Sequence, residues 1–315
     1  MSTQPTTHRQ DLVEDLHGHR IADPYRWLED PDSEQTRAWV DAQNVWTEEH
    51  LAGLPERAWF TETLDQVLGQ PRAGLPFHRY GRWFVTRNDG RQDQDQWFVA
   101  DSLEELQAGG RLIIDPNRFD GASSVSSVTV SRDGKLLAYG RSDGGSDWVH
   151  FVILDLDTGE PLADEADVVG KFHAAVWLPD HTSFLYQGYP QSDRADGTDT
   201  TALGAAQLRR HRLGTPVSQD EVVLELPDEP EVAFGSRVSH DEQWVVVTLH
   251  HGTEDRNRLW LLPLSPRRSS GGVGESGSGD VGEPVRLIDE TIARFDFVRM
   301  LDREVVLSTN LGAGR

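Results

Sequence analysis

A serine nucleophile, a histidine metal site, a dinucleotide cradle and a carboxylate pair are the chemistries whose residue types this chain contains. A nucleophilic serine of the α/β-hydrolase kind sits in Gly-x-Ser-x-Gly between a strand and a helix, with an oriented base beside it. The serines here, such as Ser123–Ser127 and Ser269–Ser270, read as turn or loop residues, and none is expected to be a nucleophile. Gly272-Val273-Gly274-Glu275-Ser276-Gly277 has the spacing of a dinucleotide loop. It lies in a Gly/Ser run with no strand before it and no helix after it, so it reads as surface loop. His17/His19 and His250/His251 are the close histidine pairs, and neither has a third ligand at metal spacing. Acidic pairs such as Asp30/Asp32 and Asp155/Asp157 read as solvated faces in so acidic a chain. The residues alone therefore predict no metal, no cofactor and no complete active site.

Composition narrows the partners. The chain has 315 residues, 53 acidic against 30 basic, for a formal charge of −23. That balance argues against nucleic acid and against an anionic membrane surface. Cysteine is absent, which excludes disulfides, thiol catalysis and cysteine metal sites. Met1–Gln10 is polar, without the apolar core of a signal peptide, and no apolar run is long enough to span a bilayer. A cytoplasmic protein is expected.

The elements that would position any site fall into two regimes. Residues 1–10 read as a mobile tail and Asp11–Ile21 as a short extended segment. Asp32 is the expected N-cap of a helix running to about Ala52, with Gly53 as its stop. Trp39, Ala42, Val45 and Trp46 form its apolar stripe. Pro55–Leu68 reads as a second helix, with Phe60, Leu64, Val67 and Leu68 on one face. Two helices bury little by themselves, so these faces need a partner. After Pro71 the period changes from helical to alternating. A hairpin pattern recurs at His78–Asn88, Val128–Gly140, Ala174–Gly188, Arg237–His250 and Phe297–Asn310, each of the last four with an acidic turn. Second strand pairs follow, such as Gln96–Ala100 with Leu112–Asp115 and Val149–Asp155 with Glu160–Leu162. Four strands per unit is the signature of a propeller blade. Blades are expected near 76–120, 125–166, 172–227 and 233–289, with a fifth from 292. Tyr189–Ala206 and Arg267–Glu283 are the long loops.

Asp23–Asn44, reading DPYRWLEDPDSEQTRAWVDAQN, closely resembles the N-terminal signature of the prolyl oligopeptidase family of serine peptidases. Gly140–Val149, Tyr189–Thr201, Leu226–Pro230 and Asn257–Trp260 resemble that family in the same order, so the likeness covers nearly the whole chain. The resemblance implies a seven-bladed propeller capping an α/β-hydrolase domain, which is built from an N-terminal segment and the C-terminal part of the chain. It implies a Ser-His-Asp triad and an oxyanion hole in that C-terminal part, beyond Arg315. Three cavity positions carry over as substrate-binding. Phe172, in Gly170-Lys171-Phe172, matches a phenylalanine that packs on the substrate. Ala233 falls where relatives have a larger apolar residue, and Thr253 where some have cysteine. A blade-core aromatic is the competing reading of Phe172.

The expectation is a mostly β chain: about four and a half blades of seven (73–315) after a helical segment of a hydrolase domain (1–72). Full-length, it would cleave short peptides after proline, the propeller restricting access, with the hydrolase domain in cis. This chain alone would be inactive. The alternatives are a non-catalytic propeller that binds peptides or proteins, and a split enzyme whose hydrolase half is another chain.

Overall fold

A computed structural model describes residues 3–163, 165–190, 204–265, 280–302 and 304–312. Tyr189–Ala206 and Arg267–Glu283, the dinucleotide-like glycines and Ser269–Ser270 lie wholly or largely outside these residues. The chain divides into two compact units, 1–72 with 89–91, and 73–88 with 92–315.

The first unit opens with a hairpin, β1 (Val13–Leu16) and β2 (His19–Ala22), around His17 (φ 54°) and Gly18 (φ 80°). Two successive positive φ values match the twist of a tight hairpin. Helix α1 (Glu34–Ala52) is capped by Ser33, whose Oγ accepts from the Thr36 amide at 3.1 Å. The expected cap, Asp32, instead pairs with Arg37 at 2.6 Å. Gly53 ends the helix as expected, and α2 spans Arg57–Leu68. The start of the chain is not the free tail its composition suggested. The Trp27 indole donates to the His8 carbonyl (3.0 Å), the Trp39 indole to Thr7 Oγ1 (3.1 Å), and Gln43 Nε2 to the Pro5 carbonyl (3.3 Å). Tryptophans in this acidic stretch thus supply indole donors as well as apolar area.

The second unit is a succession of antiparallel sheets in chain order. The first holds β3 (Arg72–Ala73), β4 (Phe77–Arg79), β5 (Arg82–Asn88), β6 (Gln96–Ala100) and β7 (Arg111–Ile114). The second is β8 (Ser123–Val130), β9 (Leu136–Asp143), β10 (Trp148–Asp155) and β11 (Val168–Lys171). The third is β12 (Val176–Trp177), β13 (Ser183–Gly188), β14 (Gln207–Arg212) and β15 (Glu221–Glu225). The fourth is β16 (Val232–Val238), β17 (Trp244–His251), β18 (Asn257–Pro263) and β19 (Val285–Ile288), and a fifth begins as the hairpin β20 (Phe295–Leu301) and β21 (Glu304–Thr309). The chain is thus mostly β and forms part of a propeller. One strand was misplaced from sequence. Glu160–Leu162 forms only an isolated bridge, Leu154 with Pro161, and the paired outer strand of the second sheet is Val168–Lys171, opposite Trp148–Phe151.

Each pair of consecutive sheets encloses its own core. Phe84, Val99 and Ile114 meet Leu137, Tyr139 and Leu154; Phe151 and Ile153 meet Trp177, Phe184 and Tyr186. Strand β17 shows why the sequence runs Val245-Val246-Val247 without polar interruption. Val245 and Val247 face the third sheet, while Val246 packs with Leu259, Leu261 and Phe295 on the other side. A strand covered on both faces reads as a continuous apolar run, because its side chains alternate between two dry surfaces. The inner hairpins turn through one positive-φ residue each, at Gly134, His181, Glu242 and Asp302, helped by Ser131 Oγ donating to Asp133 and Ser239 Oγ to Asp241.

Helix α2 buries none of its residues, and Trp59, Phe60, Leu64, Val67 and Leu68 are all exposed. An apolar face of this size is a contact surface. The 315-residue chain is therefore expected to self-associate, with sedimentation velocity showing species that grow with concentration. Trp59→Glu with Val67→Glu should shift it toward monomer. A wild-type chain that stays monomeric throughout would contradict this.

Candidate functional site

Antiparallel pairing within each sheet, and short links between sheets, divide the second unit into two ends. The hairpin turns at 131–135, 178–182 and 239–243 lie at one end. The connections 143–148, 171–176, 225–232 and 251–257 lie at the other, to which β11 and β17 run and from which β12 and β16 start. Phe172, Ala233 and Thr253 all belong to this second end.

Phe172 occupies the link between β11 and β12. It is 62% exposed, so it is not the blade-core aromatic of the competing reading. Its φ is +60°, a conformation that costs a bulky residue on the order of 1–3 kcal/mol. Phe172 lines a cavity of about 440 Å³ with Ser124, Ser127, Ser146, Asp147, Val149 and His173. The Lys171 ammonium lies 4.8 Å from the Phe172 ring centre and 5.3 Å from that of Trp148. Trp148 is buried and edge-on to Tyr189. Ala233, half-buried on β16, pairs across the sheet with His250. Thr253 is exposed in the β17–β18 turn. Neither lines the Phe172 cavity. Thr253 lies in the chain between His251 and Glu254, which line a smaller cavity of about 260 Å³ together with the ion pair Arg258–Glu229.

Two side chains that sequence reasoning missed hold the backbone on either side of Phe172. Gln187, with 0% exposure, donates through Nε2 to the Lys171 carbonyl (3.0 Å) and the Tyr189 hydroxyl (3.0 Å). Its Oε1 accepts from the Phe234 amide at 2.7 Å. His173 Nδ1 donates to the Ala174 carbonyl (2.5 Å), which leaves Nε2 to accept from the Ser236 hydroxyl (3.0 Å). Burial pushes this imidazole down to about 4, against the pull of the Ala174 carbonyl, so it is neutral at pH 7.

One serine match was also missed. Gly140-Arg141-Ser142-Asp143-Gly144 has the Gly-x-Ser-x-Gly spacing. It runs along β9 into a turn and then β10, with no helix, and the buried Ser142 hydroxyl donates to the Ser146 carbonyl. A hydroxyl so committed, with no imidazole bonded to it, is not an activated nucleophile.

The comparisons agree with this architecture. Residues 5–314 match the family model described as prolyl oligopeptidase, N-terminal β-propeller domain. The prolyl endopeptidase of Elizabethkingia meningoseptica is 31% identical over 263 residues, which cover 82% of this chain and 36% of that protein. Prolyl oligopeptidase A of Galerina marginata is 29% identical over 272 residues, covering 78% and 36%. The chain thus spans little more than a third of the length of these relatives. A solved prolyl endopeptidase superposes with a TM-score of 0.66 at 31% identity, over 99% of this chain and 42% of that one. Prolyl oligopeptidase B from Galerina marginata, bound to a 35mer hydrolysis and macrocyclization substrate, shares the fold with a TM-score of 0.81 at 22% identity, over 99% and 44%.

Proposed function

Because the chain belongs to the prolyl oligopeptidase family, we propose that it forms the N-terminal and propeller part of a serine peptidase that hydrolyses short peptides after proline. Residues 1–72 belong, in this reading, to a hydrolase domain in cis, and 73–315 to the propeller that restricts access to it. The exposed apolar face of α2 supports the first assignment, since a helix with no buried residue needs a docking partner. The observation that carries the reading is the placement of Phe172. A strained, exposed aromatic stands beside a cavity at the end of the sheets that also carries Ala233 and Thr253. Strain of this kind at a cavity marks a contact surface rather than packing. Phe172, Ala233 and Thr253 are proposed to touch the peptide, while the triad comes from the hydrolase domain.

The 315-residue chain is therefore expected to bind short proline peptides weakly and to cleave none. A proline-linked fluorogenic peptide should stay intact, and a serine-reactive fluorophosphonate should leave Ser142 and every other serine unlabelled. Cleavage with stoichiometric labelling would overturn the assignment of catalysis to another domain. Peptide affinity unchanged by Phe172→Gly would remove Phe172 from the contact surface.

A further inference from the structure

The structure assigns Gln187 and His173 as a two-point clamp that positions Phe172 against strand β16. This rests on reading Phe172 as a peptide-contact residue. A bulky side chain at φ +60° relaxes to a commoner conformation unless the backbone on both sides is fixed. Here both sides are fixed, and both to the same strand. On the N-terminal side, Gln187 holds the Lys171 carbonyl with Nε2 and the Phe234 amide with Oε1. On the C-terminal side, His173 meets Ser236 Oγ through Nε2. Phe234 and Ser236 belong to β16, and Phe234 directly follows Ala233. Gly170 completes the fixation: a Cβ there would stand 2.9 Å from the Gln187 carbonyl oxygen and from the Phe151 ring, so the link can approach this closely only with glycine.

The clamp joins two proposed contact positions that do not share a cavity. Phe172 follows the second sheet and Ala233 lies on the first strand of the fourth, yet Gln187, on β13 of the third sheet, and His173 tie the Phe172 link to β16 by side-chain hydrogen bonds. Gln187 and His173 are positioning residues. Neither need touch the peptide, and their effect reaches it through the direction of the Phe172 ring. The arrangement turns a local strain into a fixed spacing between Phe172 and Ala233, which sets which side chain the peptide can place between them.

The test uses the whole 315-residue chain and two readouts. One is the one-bond Cα–Hα coupling of residue 172, which reports the sign of φ. The other is calorimetric affinity for acetyl-Leu-Gly-Pro-amide. Ser236→Ala, a small change that leaves the cores intact, should move the coupling toward negative φ and weaken the peptide about three- to tenfold. His173→Leu should do the same, and His173→Gln, which keeps a donor and an acceptor, should recover most of the affinity. Gln187→Leu should have the larger effect on coupling. Unchanged coupling at residue 172 in both Ser236→Ala and His173→Leu would overturn the clamp, whatever the peptide does. A wild-type chain that does not bind the peptide would instead overturn the contact reading, and the coupling alone would then decide the clamp.

Discussion

Replacing His211 with alanine is expected to cost about 3–5 kcal/mol of stability. The ring has no exposed side-chain surface and lies between two carboxylates. Nδ1 is 2.8 Å from Asp220 Oδ1 and Nε2 is 2.9 Å from Glu165 Oε1. With an acceptor at each nitrogen, the imidazolium is the form that satisfies both. Burial opposes that charge, but the bonds and charges of Asp220 and Glu165 outweigh it and raise the pKa above its ordinary value. Tyr186 Oη donates to the other Asp220 oxygen at 2.7 Å, and the Gly214 amide donates to Glu165. Alanine would leave two carboxylates without their shared cation. Glu165 lies in the β10–β11 connection of the second sheet, His211 and Tyr186 on strands of the third and Asp220 just before β15, so the loss would fall on one contact between these two sheets.

The sign of the accompanying pH dependence follows from the raised pKa. The folded state holds the proton more tightly than the unfolded chain, so this contribution is full below about pH 6.5 and lost as pH rises through the folded value. Urea unfolding at pH 6 and pH 9, followed by tryptophan fluorescence, should show wild type losing its advantage over His211→Ala at the higher pH. Equal stability of the two proteins at pH 6 would refute the bridge.

His211 also shows where sequence reading stopped. The inner hairpins were legible because their signals are local: an alternating run, an acidic turn, a second alternating run. The alternating runs Leu208–Leu213 and Glu221–Leu226 read from sequence as a strand pair, within one residue of the observed Gln207–Arg212 and Glu221–Glu225. The charges of the first strand were not legible. Arg-Arg-His-Arg looks like a solvated basic run, yet Arg210 is buried against Asp180 at 2.9 Å and His211 is fully enclosed. The partners lie 30 and 46 residues away, on elements whose juxtaposition no local pattern encodes. Val168–Lys171 was missed for a related reason. Its sequence, Val-Val-Gly-Lys, has no alternation, and it is placed by pairing with Trp148–Phe151. At the candidate site, the resemblance located Phe172. The residues that hold it, Gln187 and His173, depend on bonds to Phe234 and Ser236 that span 47 and 63 positions.

His173 should behave oppositely to His211 in acid. Its ring is half-buried at the edge of the Phe172 cavity, with one carbonyl and one hydroxyl as partners and no carboxylate hydrogen-bonded to it. Burial lowers its pKa from 6.5 to about 4. The unfolded chain therefore takes up this proton first as pH falls. The stabilising contribution is complete above about pH 6.5 and lost as pH falls through about 4, a total of about 3 kcal/mol for a shift of that size. His173→Gln cannot titrate but keeps hydrogen-bonding capacity, so the difference in unfolding free energy between it and wild type should change by roughly that amount from pH 7 to pH 4. The comparison cancels the depressed carboxylates Asp115, Asp133, Asp143 and Asp155, which both proteins share. Parallel stability curves, or an imidazole that titrates near 6.5 by NMR, would show that its surroundings do not hold the ring neutral. Because the same ring fixes the link beside Phe172, the acid limb carries a second consequence. Below pH 5 protonation of Nε2 reverses this bond, so that Ser236 Oγ must accept where it donated, and the coupling at residue 172 should begin to move before the sheets unfold.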